Sequence, residues 1–258
     1  MAALLLQIGL LIWIYATLWF IVSLLVRRND VADIAWGLGY VVICIYLFQM
    51  QTKASIPILV YTLVGIWALR LSTHIFLRNW GKTEDFRYRQ WRKEWGKTFY
   101  WRSYLQVYLL QGFLLWVIAL PIVVAGISAA KEWTVGTYLG ILIWGIGFFF
   151  QAVGDYQLAQ FVKNRKHKEE VLQTGLWKYS RHPNYFGEIA MWWGIFVITL
   201  PLPYAWIGLI GPLTITLLLV FVSGVPMLEK RYVGNDEYAA YQKRTSVVIP
   251  WWPTPSKS

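Results

Sequence analysis

Few ionisable residues lie within or at the edges of the apolar segments of this chain. A charge is costly at such a position, so its occupants are candidates for function. Asp33 opens the second apolar segment, and Arg70 and His74 lie one helical turn apart in the third. Asp155 closes the fifth segment, and Glu188 lies one turn into the sixth. Structural ion pairs also occupy such positions, so for Arg70 and His74 a role in locking the bundle stays open.

The segment 175–188, GLWKYSRHPNYFGE, carries the densest set of candidate functional groups. Pro183 favours the first turn of a helix, which places Asn184 and Glu188 on one face. Arg181 and His182 precede that turn, at the positive end of the helix dipole, where an anion and hydrogen-bonding site is expected. The segment has no metal-ligand spacing and no glycine-rich phosphate loop, which excludes a nucleotide fold of the soluble type.

The composition predicts that these groups are positioned by membrane-spanning helices. Hydrophobic residues make up 57% of the 258 residues and charged residues only 14%, a balance that predicts lipid-facing surface. Seven apolar runs are long enough to suggest spans: 2–26, 31–50, 56–77, 104–127, 135–154, 185–200 and 204–225. The fold class predicted is an all-α bundle of about seven transmembrane helices. A single domain, 1–258, is expected, with its cofactor-binding half at about 135–258.

The distribution of Lys and Arg predicts the orientation of the bundle. The connections after runs one, three, five and seven are basic, whereas those after runs two and four carry only Lys53 and Lys131. Because basic loops stay in the cytoplasm, the amino terminus is expected outside and the carboxyl terminus in the cytoplasm. The net charge of +11 is explained by these loops and their attraction to membrane lipids, so no nucleic-acid partner is expected.

Two further patterns bear on the site and its surroundings. Segment 83–101 mixes charge with aromatic residues, and Trp91 and Trp95 are four residues apart, which favours an interfacial amphipathic helix. The single cysteine, Cys44, lies in an apolar run, so neither a disulfide framework nor a cysteine-based metal site is possible. No metal is expected, and cysteine scarcity with short loops is typical of a bacterial inner-membrane protein.

Segment 175–188 and the carboxyl-terminal tail together resemble the carboxyl-terminal half of the steroid 5-alpha-reductase family. The tail contributes Glu229-Lys230-Arg231-Tyr232, then Asp236-Glu237-Tyr238, Lys243-Arg244 and Ile249-Pro250. The closest likeness is to a bacterial branch that also has the Asp-x-x-Trp-Gly pattern found here at Asp33, Trp36 and Gly37.

The resemblance implies an NADPH-dependent oxidoreductase that reduces a carbon–carbon double bond conjugated to a carbonyl in a lipid or steroid-like substrate. The family's cofactor-binding residues after spans three, five and six resemble Asn79, Lys82, Asp155, Asn184 and Glu188, and basic groups near the end of the chain suit phosphates. The full set of residues expected to hold the cofactor is Asn79, Lys82, Asp155, Arg181, His182, Asn184, Tyr185, Glu188, Glu229, Arg231, Tyr238 and Arg244.

The substrate side departs from the family pattern. The second span offers Asp33 where steroid-reducing members have Glu, and Ala68 lies near the position of their Tyr. Asp33, Arg70 and His74 are therefore the residues expected to polarise the substrate carbonyl, because a carboxyl in a low-dielectric site can stay protonated and donate a hydrogen bond.

Two alternatives stay open. Arg-His-Pro-x-Tyr before a span, with Glu and a Tyr-rich basic tail after the next, also resembles integral membrane methyltransferases of the isoprenylcysteine carboxyl type, which use S-adenosylmethionine. Those enzymes usually have two adjacent acidic residues where this chain has Glu229-Lys230. A lipid-binding or transporter-like bundle is the third hypothesis, disfavoured because the chain shows no inverted repeat and its polar residues gather at one surface.

Overall fold

The computed structural model describes residues 1–50, 54–167 and 169–254, and within these residues the chain is helical with no β-strand. Lys53, one of the two basic residues in the sparsely charged loops, lies outside the described residues. The prediction of an all-α protein is confirmed for the described part of the chain.

The helices follow one another with short connections. In chain order the α-helices are α1 (Ala2–Val26), α2 (Val31–Met50), α3 (Ser55–Asn79), α4 (Phe86–Trp95), α5 (Phe99–Ser103), α6 (Leu110–Ile118), α7 (Leu120–Gly126), α8 (Val135–Asn164), α9 (Pro183–Thr199), α10 (Ala205–Gly208), α11 (Ile210–Leu217), α12 (Val225–Glu229) and α13 (Asp236–Arg244). Short 3₁₀ turns cover Gly96–Thr98, Gly175–Lys178 and Lys230–Tyr232, and π-helical turns cover Tyr104–Leu109 and Leu218–Val222.

Among the described residues, five helical segments are long and apolar enough to cross a membrane: Ala2–Val26, Val31–Met50, Ser55–Asn79, Val135–Asn164 and Ala205–Tyr232. The last of them runs through α10, α11 and α12. Many large apolar side chains of these segments are exposed, among them Leu6, Leu25 and Val135 at 75%, 77% and 85%, as expected of surfaces that face lipid. The chain is thus an integral, multi-pass membrane protein.

The predicted count of seven spans is wrong, for two physical reasons. The run predicted at 104–127 is broken, and Phe86–Ile118 and Leu120–Gly126 meet at an angle of 47° next to Pro121, which cannot donate the helical hydrogen bond. The run predicted at 185–200 forms α9, whose 17 residues reach only about 26 Å, less than the ~30 Å hydrocarbon core. The count is five, or six if the bent pair is one span.

The chain divides into two compact units, and the first consists of residues 1–132 and 201–210. Within it α2 packs closely on α3. A Cβ built on Gly37 would lie 2.7 Å from the carbonyl oxygen of Ala68 and 2.4 Å from Ser72 Oγ, and that hydroxyl donates to the carbonyl of Ile34 at 2.9 Å. The absence of a side chain at Gly37 therefore sets the separation of the two helices.

The second unit consists of residues 133–200 and 211–258, and α8 and α9 form its centre. A Cβ on Gly140 would lie 2.6 Å from the Gly194 carbonyl, and one on Gly147 would lie 2.6 Å from the Gly187 carbonyl. These four glycines, spaced seven residues apart on each helix, let the two backbones touch as small residues do in membrane helix pairs. We call them the glycine seam. The predicted single domain concerns the whole chain and stays a prediction.

Candidate functional site

The second unit holds the start of α9 against the carboxyl-terminal tail. Helix α9 begins at Pro183, as the sequence predicts. Just before it, the Ser180 side chain is fully buried and donates to the Val248 carbonyl at 2.7 Å. Trp177 is buried too, and its indole N–H donates to the Gly154 carbonyl on α8 at 3.2 Å. The segment that leads into α9 is therefore held by the tail through Ser180 and by α8 through Trp177.

Arg181 lies inside this region with only 9% of its surface exposed. Its Nε donates to Glu229 Oε1 at 2.8 Å, and its Nη1 donates to the carbonyls of Gln242 and Thr245 at 3.0 and 2.9 Å. Two backbone carbonyls and one carboxylate therefore take most of its donors. Arg181 ties the tail to the start of α9.

Glu229, at the end of α12, is the common partner of this cluster. His182 Nε2 lies 3.2 Å from Glu229 Oε1, the same oxygen that accepts from Arg181. The second oxygen, Oε2, accepts from the side-chain amide of Gln242 at 2.8 Å. The His182 ring stacks on Tyr185 with 5.2 Å between ring centroids. We call Arg181, His182 and Glu229 the buried triad.

Two polar pairs cross from α8 to α9. Asn184 Nδ2 donates to Asp155 Oδ1 at 3.0 Å, and Gln151 Nε2 donates to Glu188 Oε2 at 3.0 Å. The partners are four residues apart on each helix, so the pairs lie one turn from each other. The predicted shared face of Asn184 and Glu188 is thus occupied by α8 side chains. Asp155, Asn184 and Glu188 remain partly exposed.

Helix α13 supplies the remaining predicted tail residues of this unit. Tyr238 stacks on Tyr232 with 4.2 Å between ring centroids, and Arg244 donates a hydrogen bond to the side-chain oxygen of Gln173. Burial raises the pKa of the Tyr241 hydroxyl, so this phenol stays protonated and donates to the Trp177 carbonyl. Arg231 lies exposed in the 3₁₀ turn that follows α12.

The residues predicted to act on the substrate belong to the first unit, where Asp33 is held by two residues of α4. Its Oδ2 accepts from Arg87 Nη2 at 2.6 Å, and its Oδ1 accepts from the Tyr88 hydroxyl at 2.7 Å. Arg70 and His74 are both partly buried on α3. That these three residues act together on the substrate stays a prediction.

A second buried carboxylate organises the loops around Asp33. Asp30 is 2% exposed, accepts two hydrogen bonds from Arg28 at 3.0 and 2.8 Å, and accepts one from the Asp85 backbone N–H at 3.0 Å. The hydrogen bond and the charge of Asp30 raise the pKa of the Arg28 guanidinium. Burial opposes ionisation of Asp85, but the hydrogen bonds and charge of Arg87 outweigh it and lower the pKa of that carboxyl.

Asn79 and Lys82 enter this network through the backbone. Arg28 Nη1 donates to the Lys82 carbonyl at 2.8 Å, and Arg28 Nη2 lies 3.5 Å from the Asn79 carbonyl. The Lys82 side chain is exposed, and the Asn79 side-chain N–H₂ is buried without a hydrogen bond among the described residues. Both residues therefore shape the loop between α3 and α4.

Several partners in these clusters escaped the sequence analysis. Gln151 stands four residues before Asp155 in the same apolar run, a spacing that placed both on one face and could have indicated the pair. Gln242 gives no such signal, because its contact with Glu229 joins two separate helices. Across residues 1–50, 54–167 and 169–254, no group of three His, Cys, Asp or Glu side chains could hold a metal ion.

Comparisons with known proteins bear on what this arrangement does. Residues 19–245 match the family described as "Protein of unknown function (DUF1295)". Over 127 residues the chain is 28% identical to the protein-S-isoprenylcysteine O-methyltransferase of Saccharomyces cerevisiae, covering 45% of this chain and 49% of that protein. Over 105 residues it is 29% identical to methanethiol S-methyltransferase 1 of Bradyrhizobium diazoefficiens, covering 40% and 34%.

The chain therefore spans about half, or less, of the length of these curated relatives. No solved structure matches it significantly.

These findings overturn the predicted activity. Assignment to the steroid 5-alpha-reductase family, the NADPH cofactor and the oxidoreductase class are wrong, because the curated relatives are named as methyltransferases. The Arg-His-Pro-x-Tyr segment and the acidic and basic tail residues were common to both family resemblances. They predicted where polar groups gather, but they did not distinguish hydride transfer from methyl transfer.

Proposed function

The chain belongs to the DUF1295 family, and from that premise we propose that it is an integral membrane methyltransferase that uses S-adenosylmethionine. The observation that carries the proposal is that two relatives with different acceptors, an isoprenylcysteine and methanethiol, share methyl transfer in their names. The chemistry common to both is the one most readily carried over.

The partly exposed polar groups of the second unit suit this cosubstrate. When bound, S-adenosylmethionine supplies an electrophilic methyl group on a sulfonium, and it also bears a ribose diol, an ammonium and a carboxylate. Asp155 and Glu188 are carboxylates of the kind that bind hydroxyl and ammonium groups. The amide of Asn184, 3.0 Å from Asp155, adds a hydrogen-bonding group beside them.

The buried triad suits the anionic end of the cosubstrate. Arg181 Nη2 makes no hydrogen bond to any residue in the described part of the chain and is not fully enclosed. A guanidinium at the start of a helix is a favourable partner for a carboxylate. Glu229 and the two carbonyls hold Arg181 so that this nitrogen keeps a fixed position.

The remaining roles of the second unit are orientation and exclusion of water. The His182–Tyr185 stack gives the start of α9 an aromatic surface suited to adenine. The glycine seam brings α8 against α9, and this close packing positions the Asp155–Asn184 and Gln151–Glu188 pairs. We assign cosubstrate contact to Asp155, Arg181, Asn184, Tyr185 and Glu188.

The acceptor in this proposal is a lipid-like or small apolar nucleophile that partitions into the membrane. The lipid-like option rests on the isoprenylcysteine named for the yeast relative, and the exposed apolar helices support access from the bilayer. The distribution of basic loops still predicts an amino terminus outside. The carboxyl terminus lies in the cytoplasm if the spans number five, and outside if the bent pair makes them six. The membrane proposed is a bacterial inner membrane.

Calorimetry on the purified protein in detergent tests the cosubstrate directly. S-adenosylmethionine is expected to titrate and NADPH is not. Replacing Asn184 by Ala removes the amide that bonds Asp155 and is expected to weaken S-adenosylmethionine binding about tenfold, the cost of one hydrogen bond to a charged group. Asn164→Ala, at the exposed end of α8, is the matched control and is expected to bind normally.

Failure of S-adenosylmethionine to bind, or equal binding by both asparagine variants, contradicts the proposed site.

A second measurement addresses the reaction itself. Lipid and thiol extracts of cells with and without the gene are compared by mass spectrometry, and products that gain one methyl group are expected. Products that differ by two hydrogens would contradict methyl transfer.

A further inference from the structure

Residues 78–102, the connection that contains α4, carry more positive charge than their own carboxylates can neutralise. The segment contains eight Lys and Arg residues and three Asp and Glu residues, which gives a net charge of +5. None of these side chains is needed by the proposed cosubstrate site.

The partly buried cations of the segment have carboxylate partners. Arg87 Nη2 lies 2.6 Å from Asp33 and its Nε lies 2.9 Å from Asp85, while Arg92 Nη2 lies 3.0 Å from Glu84. The third acid of the segment, Glu94, accepts a hydrogen bond from the Gln90 side chain at 2.7 Å. All three of its acids are therefore occupied.

The other six cations are all exposed, and no carboxylate of the described residues lies within salt-bridge distance of them. We call this set the basic surface: Arg78, Lys82, Arg89, Lys93, Lys97 and Arg102. Charges left outward in this way are available to a partner.

The fold fixes the direction of the basic surface on α4. Tyr88 is 1% exposed, and its ring lies in a core cluster with Val107 and Tyr108. Trp91 and Trp95 stack on each other, with 5.3 Å between ring centroids, and pack against the same cluster. This face of α4 is covered by the cluster. Arg89 and Lys93 lie one turn apart and are exposed, so they lie on the other side of the helix.

Exposed aromatic side chains flank these cations. Trp80, Tyr100 and Trp101 are 70%, 58% and 62% exposed, and all three belong to the connection that follows α3. Tryptophan and tyrosine concentrate at the level of lipid headgroups. A surface that combines unpaired cations with such residues is complementary in charge to anionic lipid, and a freely soluble anion would not use the aromatic part.

We propose that the basic surface binds the phosphate groups of anionic phospholipids at the membrane interface. Each Lys or Arg next to an anionic bilayer raises the affinity for that bilayer several-fold, through electrostatic attraction. The paired cations Arg87 and Arg92 hold α4 in place, and the exposed cations contact the headgroups.

Native mass spectrometry of the full chain in detergent tests this inference, with equimolar phosphatidylglycerol and phosphatidylcholine as the probes. The wild-type protein is expected to retain phosphatidylglycerol preferentially. The variant Arg89→Gln/Lys93→Gln/Lys97→Gln is expected to lose at least about tenfold in that preference. The control Lys163→Gln/Lys166→Gln/Lys243→Gln removes the same charge from exposed positions of the second unit and is expected to keep the preference.

Three results would overturn the inference: no preference in the wild type, an unchanged preference in the first variant, or an equal loss in the control. If the first variant does not fold, the inference is tested on the wild-type protein by measuring lipid retention at increasing salt concentration. Phosphatidylglycerol retention is then expected to fall as sodium chloride rises, with phosphatidylcholine unaffected. Millimolar glycerol phosphate is not expected to compete, and strong competition would identify a soluble-anion site instead.

Discussion

At the scale of single residues, the buried triad shows what a sequence motif can and cannot specify. Arg181, His182 and Glu229 were predicted to bind a cofactor directly, and in the structure Arg181 and His182 share one carboxylate oxygen of Glu229. The motif placed Arg181 and His182 at the start of a helix, as observed. Their pairing with Glu229 was not predictable, because it joins residues 48 and 47 positions apart.

Arg181→Leu is expected to destabilise the protein by about 3 kcal/mol, because it leaves Glu229 partly buried without its cation. The Glu229 side chain is 17% exposed and that of Arg181 is 9% exposed, so water relieves little of this cost. Thermal unfolding in detergent, followed by intrinsic fluorescence, measures the loss. The double variant Arg181→Leu/Glu229→Leu removes both charges and is expected to recover part of it. A double variant less stable than either single one would contradict a charge-pairing role.

Asp33 illustrates the limit of reasoning from an isolated acidic residue. The sequence indicated an acid at the edge of a span, and that position is correct. Arg87 and Tyr88, its partners in the structure, lie on α4, and only three-dimensional packing brings α4 to the start of α2. Asp33 is therefore part of a buried network that fixes α4, and its role on the substrate side with Arg70 and His74 stays a prediction.

At the scale of elements, the glycine seam determines how close α8 and α9 can come. The sequence shows glycines seven residues apart in each helix, a spacing that keeps them on one face. It does not say which helix that face meets. The pairing follows from the structure, in which each glycine of the seam lies against the backbone of the other helix.

A comparison within α8 tests the seam. Gly147→Ala would place a methyl group 2.6 Å from the Gly187 carbonyl, and the overpacked helices are expected to lose about 1–3 kcal/mol of stability. Gly145→Ala is the matched control, because a Cβ there meets nothing within 4 Å. It is expected to be neutral or stabilising, since alanine favours a helix over glycine. Chemical unfolding of the two variants measures the difference, and equal stability would exclude close packing at Gly147.

At the scale of the whole molecule, composition and hydropathy sufficed to predict an all-α, multi-pass membrane protein. They did not suffice to count the spans. The apolar run that became α9 resembles a span in sequence but forms a helix of only 17 residues, and Pro121 divides another run with a bend of 47°. Whether a bent pair crosses the bilayer depends on the path of its backbone, which residue hydropathy does not describe.

The distribution of charge predicts that the bent pair from Phe86 to Gly126 crosses the membrane, with Lys97 in the cytoplasm and Lys131 outside. Both residues are exposed, and the only cysteine of the chain, Cys44, is buried. Lys97→Cys and Lys131→Cys are labelled in intact cells with a membrane-impermeant maleimide, with the wild type as the unlabelled control. Only Lys131→Cys is expected to react before the cells are opened, and both are expected to react afterwards. Matching behaviour of the two variants would mean that the pair enters and leaves on one side, because a re-entrant segment returns both of its ends to the same aqueous phase.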